Sequence, residues 1–67
     1  MFFETDEGKL LNLTLLQNVQ VINSSNDINK YSIGYFQING EILEEGSFNT
    51  ELEALNALDT IKTKLLS

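Results

Sequence analysis

The feature that most constrains the fold is an Asn39-Gly40 pair between two strand-like runs, residues 30–38 and 41–48. The first run is rich in β-branched and aromatic side chains, which are typical of strands, and the second contains Ile42 and Phe48. Asn-Gly favours a type I′ turn, because both residues tolerate positive φ angles. The sequence therefore predicts a long antiparallel hairpin closed by a two-residue loop.

A two-residue loop also fixes the register of this hairpin and hence its two faces. The predicted cross-strand pairs are Ile38–Glu41, Phe36–Leu43, Ile33–Gly46 and Tyr31–Phe48. Alternation gives a larger apolar face, which we expect to lie under a helix, consisting of Tyr31, Ile33, Tyr35, Ile42 and Phe48. The smaller apolar face consists of Phe36, Ile38 and Leu43.

One acidic residue, Glu44, interrupts the larger face. Two arrangements would accommodate it. Glu44 could lie at the rim of the sheet. Alternatively, Glu44-Glu45-Gly46 could hold a β-bulge, which glycine favours and which reverses the faces beyond it.

A capped amphipathic helix is predicted for residues 51–66. Thr50 and Glu53 have the spacing of a capping box, in which each side chain accepts from the other residue's backbone N–H. An apolar stripe recurs every three or four residues, and its members are Leu52, Leu55, Leu58, Ile61 and Leu65. Ala54 and Ala57 lie beside this stripe and allow close approach to a sheet.

The rest of the chain predicts shorter strands at residues 2–5, 10–13 and 19–23. Asp6-Glu7-Gly8-Lys9 is a turn with glycine where a positive φ is favoured. Periodicity leaves open whether residues 10–16 are strand or helix. We therefore expect a single α+β domain, residues 1–67, with an antiparallel β-meander of four to five strands and one C-terminal α-helix packed on one face.

Composition argues against several functions. The 67 residues include four lysines, no arginine and ten acids, for a net charge of −6. Such a balance disfavours nucleic acid and anionic membrane surfaces. The lack of histidine and cysteine argues against a metal site and most catalytic schemes, and we expect no enzyme, cofactor or metal. The acidic start of the chain and the absence of a long apolar run predict a cytoplasmic protein.

The smaller hairpin face is the candidate partner-binding site. Phe36, Ile38 and Leu43 would form an apolar cluster away from the helix, with Glu41, Glu44 and Glu45 nearby. Such a cluster with a charged rim is typical of a protein-binding surface, and a homodimer is its simplest form. The opposing interpretations are that Leu11, Leu13 or Leu16 covers the cluster, or that the two faces are assigned backwards.

Both ends of the chain resemble short β-meander-plus-helix proteins of bacteria, phages and mobile elements. The resemblance lies in Met1-Phe2, Gly8-Lys9-Leu10-Leu11-Asn12-Leu13 and Phe48-x-Thr50-x-x-Glu53-Ala54. Small acidic phage proteins of this kind include inhibitors of host defence complexes, such as anti-CRISPR proteins. The first functional hypothesis is thus a non-enzymatic, self-associating interaction module. The alternative is an acidic inhibitor of a basic, nucleic-acid-handling host complex.

Overall fold

The computed structural model describes residues 1–66 and contains five strands followed by one helix. In chain order these are β1 (Phe2–Glu4), β2 (Leu10–Asn12), β3 (Leu16–Asn23), β4 (Tyr31–Gln37), β5 (Ile42–Phe48) and α1 (Glu51–Leu66). All strand pairs are antiparallel. The predicted α+β class, with one C-terminal helix packed on a sheet, is confirmed.

The strands form two sheets, where the sequence predicted a single meander. β1 pairs with β2, and a separate sheet has the order β3-β4-β5. A tight turn over residues 12–15 separates them: the Leu15 N–H donates to the Asn12 carbonyl at 3.0 Å, and Asn12 Oδ1 accepts from the Thr14 N–H at 3.0 Å. The chain therefore turns away after β2, and β3 begins at Leu16.

The β4–β5 connection is a three-residue loop, so the predicted two-residue type I′ turn is wrong. The Gly40 N–H donates to the Gln37 carbonyl at 3.0 Å, and the Gln37 N–H donates to the Glu41 carbonyl at 2.9 Å. Gly40 has a φ of +90°, whereas Asn39 keeps a negative φ. This is a type I turn followed by a left-handed glycine. The Ile38 N–H donates instead to the Leu15 carbonyl at 2.9 Å, which places Ile38 outside the β4–β5 ladder.

The longer loop shifts the β4–β5 register by one residue. Tyr35 lies opposite Leu43, and Phe36 lies opposite Ile42. Because strand side chains alternate between faces, this shift moves Ile42 and Leu43 to the faces opposite those predicted. Leu43 therefore packs toward the core, and Ile42 faces outward.

A β-bulge then restores the predicted pairing at the far end of the hairpin. The register changes between Ile33↔Glu45 and Tyr31↔Phe48, and Gly46 has a φ of +86°. Of the two arrangements left open by the sequence, the structure adopts the bulge. The two departures from the predicted register cancel, so Tyr31 faces Phe48 as expected.

The core lies between α1, the β3-β4-β5 sheet and β2. Its buried apolar residues are Leu11, Val19, Ile33, Tyr35, Leu58 and Ile61. Phe3 and Leu13 of the N-terminal hairpin pack against this cluster. The face of the β3-β4-β5 sheet that carries Val19, Ile33 and Tyr35 is called the inner face below, and the opposite one the outer face.

The helix contacts the sheet through three residues of the predicted stripe, Leu58, Ile61 and Leu65, together with Ala54 and Ala57. Ala54, Leu58 and Ile61 are buried, with Ala57 and Leu65 partly buried. The predicted members Leu52 and Leu55 are 67% and 45% exposed. The small side chains of Ala54 and Ala57 let the helix approach closely along their side, which turns Leu52 and Leu55 away from the core. At the N-terminus, Thr50 Oγ1 accepts from the Glu53 N–H at 3.2 Å, so this half of the predicted capping box is confirmed.

Gly8 and Gly46 both have a positive φ, so an alanine at Gly8 is a matched control for an alanine at Gly46 in the bulge. An alanine at either position would have to adopt the left-handed backbone conformation, which lowers the free energy of unfolding by about 1–2 kcal/mol. At Gly46 the added Cβ would also lie 2.7 Å from the Phe48 ring, whereas at Gly8 it meets nothing within 4 Å. We therefore expect Gly46→Ala to lower the free energy of unfolding, measured in urea, by more than Gly8→Ala. Equal losses would contradict the Gly46–Phe48 contact.

Candidate functional site

The outer face of the three-stranded sheet carries an apolar cluster that we call the outer-face cluster: Ile22, Phe36 and Ile42. Gly34 lies between Ile22 and Phe36 and has no side chain to separate them. A Cβ placed on Gly34 would lie 3.0 Å from both Ile22 Cδ1 and Phe36 Cε1. Both side chains thus lie over the bare Gly34 backbone, which is buried beneath them.

The exposed part of this cluster is nearest the β4–β5 turn. Phe36 and Ile22 are half-buried, Ile42 is 54% exposed, and Ile38 in the turn is 63% exposed. Their neighbours on the outer face of β3 are Asn18 and Gln20, both exposed and uncharged. The patch therefore has neutral polar neighbours on its β3 side.

The structure brings together only part of the predicted partner-binding site. Phe36 lies on the outer face, with Ile38 exposed at the adjacent turn. Leu43 does not belong to this surface, because it pairs with Tyr35 on the inner face and packs against the core. Its place is taken by Ile42, which the sequence assigned to the helix side.

Glu44 is an outer-face residue whose carboxylate is engaged by Ser24 and Ser25. Glu44 Oε2 accepts from Ser24 Oγ at 3.4 Å and from Ser25 Oγ at 3.3 Å, whereas the Ser32 hydroxyl, 3.5 Å from Oε2, donates to the Gly46 carbonyl at 2.9 Å. The Ser25 N–H also donates to both carboxylate oxygens at 3.3 Å. These bonds attach the loop after β3 to Glu44 of β5, which lies opposite Gly34.

Glu45 faces the core, although the sequence placed it beside the apolar cluster. It lies opposite Ile33, is 6% exposed, and its Oε2 makes no hydrogen bond within residues 1–66. The hydroxyl of the fully buried Tyr35 is likewise without a hydrogen-bond partner in the described chain. Burial raises the pKa of Tyr35 to about 12, with smaller contributions from the negative charges of Glu45, Asp6 and Glu7.

Glu41, the third predicted acid, is exposed beside the β4–β5 turn. Its N–H is held by Asn39 Oδ1 at 3.0 Å, so its backbone position is fixed while its carboxylate projects into solvent. Of the three predicted site glutamates, Glu41 is the one whose side chain is exposed, while Glu44, which the sequence placed on the helix side, lies on the outer face.

In residues 1–66 no three Asp or Glu side chains converge in an arrangement that could hold a metal ion, and these residues enclose no pocket. The helix that the structure describes, α1, is too short and too polar to cross a membrane.

Sequence reasoning missed Ile22, Gly34 and Ile42 as members of this surface. For Ile22 a signal was available: if Val19 and Val21 face the core, alternation places Ile22 on the opposite side. For Ile42 there was none, because its face depends on whether the turn contains two residues or three. Gly34 is recognisable only once the side chains lying over it are known.

Comparison with known proteins adds no assignment. No protein-family model matches this chain, and no curated protein or solved structure matches it.

The buried Tyr35 hydroxyl predicts a specific loss of stability at alkaline pH. An unfolded tyrosine loses its proton near pH 10, whereas folded Tyr35 keeps it until about pH 12. Between these values the folded chain binds the extra proton, so the free energy of unfolding falls as pH rises. Tyr35→Phe removes this decrease.

At neutral pH we expect Tyr35→Phe to be at least as stable as the parent, because it removes a buried hydroxyl that makes no hydrogen bond. Urea unfolding at a series of pH values measures both effects. Tyr31→Phe serves as the control and should retain the alkaline decrease. A neutral-pH loss above about 1 kcal/mol in Tyr35→Phe would reveal a hydrogen bond to this hydroxyl and contradict the account.

Proposed function

We propose that this protein is a small non-enzymatic interaction module that associates with a second copy of itself through the outer face of its three-stranded sheet. The observation that carries the proposal is the outer-face cluster. Its Ile42 side chain is 54% exposed, and the side chains of Phe36 and Ile22 pack over Gly34. Apolar patches with polar surroundings are typical of protein-binding surfaces.

Charge placement supports a second copy as the partner. Copies of a chain with net charge −6 repel one another, so self-association is favoured where few carboxylates meet across the contact. On the outer face of β3, Asn18 and Gln20 are neutral, and on β5 the carboxylate of Glu44 accepts hydrogen bonds from Ser24 and Ser25. Two outer faces that meet about a two-fold axis can therefore bring their apolar clusters together with these neutral β3 side chains at the contact.

We assign this module no catalytic residue and no cofactor, and we place it in the cytoplasm, as its composition predicts. Its partner is a protein, with neither nucleic acid nor a membrane surface as a ligand.

The second candidate function is the acidic inhibitor of a basic, nucleic-acid-handling complex. Of the three hairpin acids predicted for it, Glu45 is buried, Glu44 is engaged by serines and Glu41 is exposed near the turn, whereas the predicted helix acids Glu51, Glu53 and Asp59 are exposed on α1. The arrangement therefore supports self-association through apolar contact better than binding through an acidic surface.

Exchanging one exposed isoleucine for lysine tests the proposed surface. Ile42→Lys places a charge in the outer-face cluster, and we expect it to weaken self-association by about tenfold or more, as measured by sedimentation equilibrium. Ile42 is exposed, so the fold should be retained, which circular dichroism would verify. Ile28→Lys is the matched control, because Ile28 is 80% exposed in the loop between β3 and β4.

Two results would contradict the proposal. The first is a parent protein that stays monomeric at every concentration reached. The second is an Ile42→Lys variant that associates as strongly as Ile28→Lys. If the parent is monomeric yet binds a basic complex, with binding lost in Glu41→Lys, the inhibitor function is favoured instead.

A further inference from the structure

The side of α1 that faces away from the sheet carries a regular pattern. Its exposed residues, at alternating spacings of three and four, are Leu52, Leu55, Asp59, Lys62 and Leu66. This is the spacing of the contact positions in a coiled coil, in which one helix packs along another. We call these residues the outward stripe of α1.

Four of the five stripe residues are arranged symmetrically, and Leu52 has no counterpart within α1. About a midpoint between residues 60 and 61, Asp59 and Lys62 are equidistant, and so are Leu55 and Leu66. When two copies of a helix lie antiparallel about a two-fold axis, residues equidistant from the midpoint face each other. Each Asp59 would then face a Lys62, and each Leu55 a Leu66.

The stripe has free charges and room for a neighbour. Within residues 1–66 neither Asp59 nor Lys62 forms an ion pair. The N-terminal hairpin lies on another side of the helix, since Lys64 Nζ contacts Asp6 Oδ1 at 3.2 Å. Lys64 is nine residues from Leu55, or about two and a half helical turns, and so points in the opposite direction.

We propose that a second copy of this chain docks on the outward stripe, with the two α1 helices antiparallel and two Asp59–Lys62 pairs between two Leu55–Leu66 contacts. This goes beyond the proposed function, because the outward stripe and the outer-face cluster share no residue. Two different two-fold contacts on one chain join more than two copies, as a closed tetramer or an open chain.

Charge reversal gives a test that separates this contact from general electrostatic repulsion. Asp59→Lys places two lysines opposite two lysines, and we expect it to weaken the helix contact about tenfold. It also changes the net charge from −6 to −6 + 2 = −4, so general repulsion alone would strengthen association. Glu4→Lys makes the same change in net charge on β1 and is the matched control.

Two rescues complete the design. Lys62→Asp alone should weaken association, while the double variant Asp59→Lys/Lys62→Asp restores the opposite charges and should associate like the parent. An equimolar mixture of the two single variants should also associate, because every contact between positions 59 and 62 in the mixed pair joins opposite charges. Sedimentation equilibrium measures each sample, and circular dichroism verifies that each is folded.

Repeating the series in an Ile42→Lys background isolates the helix contact from the outer-face contact. Single variants that associate as strongly as Glu4→Lys, or a double variant no stronger than the singles, would overturn the proposal. If Ile42→Lys has no effect while the charge reversals act as described, the outer-face contact fails and the helix contact stands.

Discussion

The β4–β5 turn determines which side chains of β5 face the helix and which face outward. The Ile38 N–H bonds to the Leu15 carbonyl, and Gly40 closes the turn with a positive φ. Ile38 is thereby held outside the ladder, and every β5 residue before the bulge is placed one position from where a two-residue loop would place it. The core contact of Leu43, the burial of Glu45 and the exposure of Ile42 all depend on this one loop.

Local sequence was sufficient for the order of the elements, although it left residues 10–16 open and began β3 at residue 19 instead of Leu16, and it was insufficient for their faces. The capped helix, the long hairpin and the glycine turn at Gly8 follow from side-chain chemistry within a few residues. The turn at Asn39-Gly40 does not, because its length is decided by a bond to Leu15, far away in the sequence. The sequence Glu44-Glu45-Gly46 indicated that a bulge was possible. Which β5 side chains it would place on each face of the sheet could be decided only once the length of the turn was known.

For the candidate site, too, local sequence was not enough to assign side chains to a face of the sheet. Phe36 and Ile38 were predicted as exposed hairpin residues, and the structure places them on the outer face and in the turn. Leu43 and Glu45 were misassigned because the one-residue shift turns both inward. Glu44 lies on the outer face, yet its charge is engaged by Ser24 and Ser25, which are brought near only by the loop after β3. Likewise, Leu52 and Leu55 belong to an amphipathic pattern, but close packing at Ala54 and Ala57 decides which stripe is buried.

The register is therefore the central claim, and cross-strand nuclear Overhauser effects between α-protons test it most directly. In an antiparallel pair, α-protons are closest at positions that do not exchange backbone hydrogen bonds. With Gln37 and Glu41 hydrogen-bonded, the account predicts strong α-proton contacts for Phe36–Ile42 and for Gly34–Glu44. Strong contacts for Gln37–Ile42 and Tyr35–Glu44 would instead establish the two-residue loop, return Leu43 to the outer face and contradict the account.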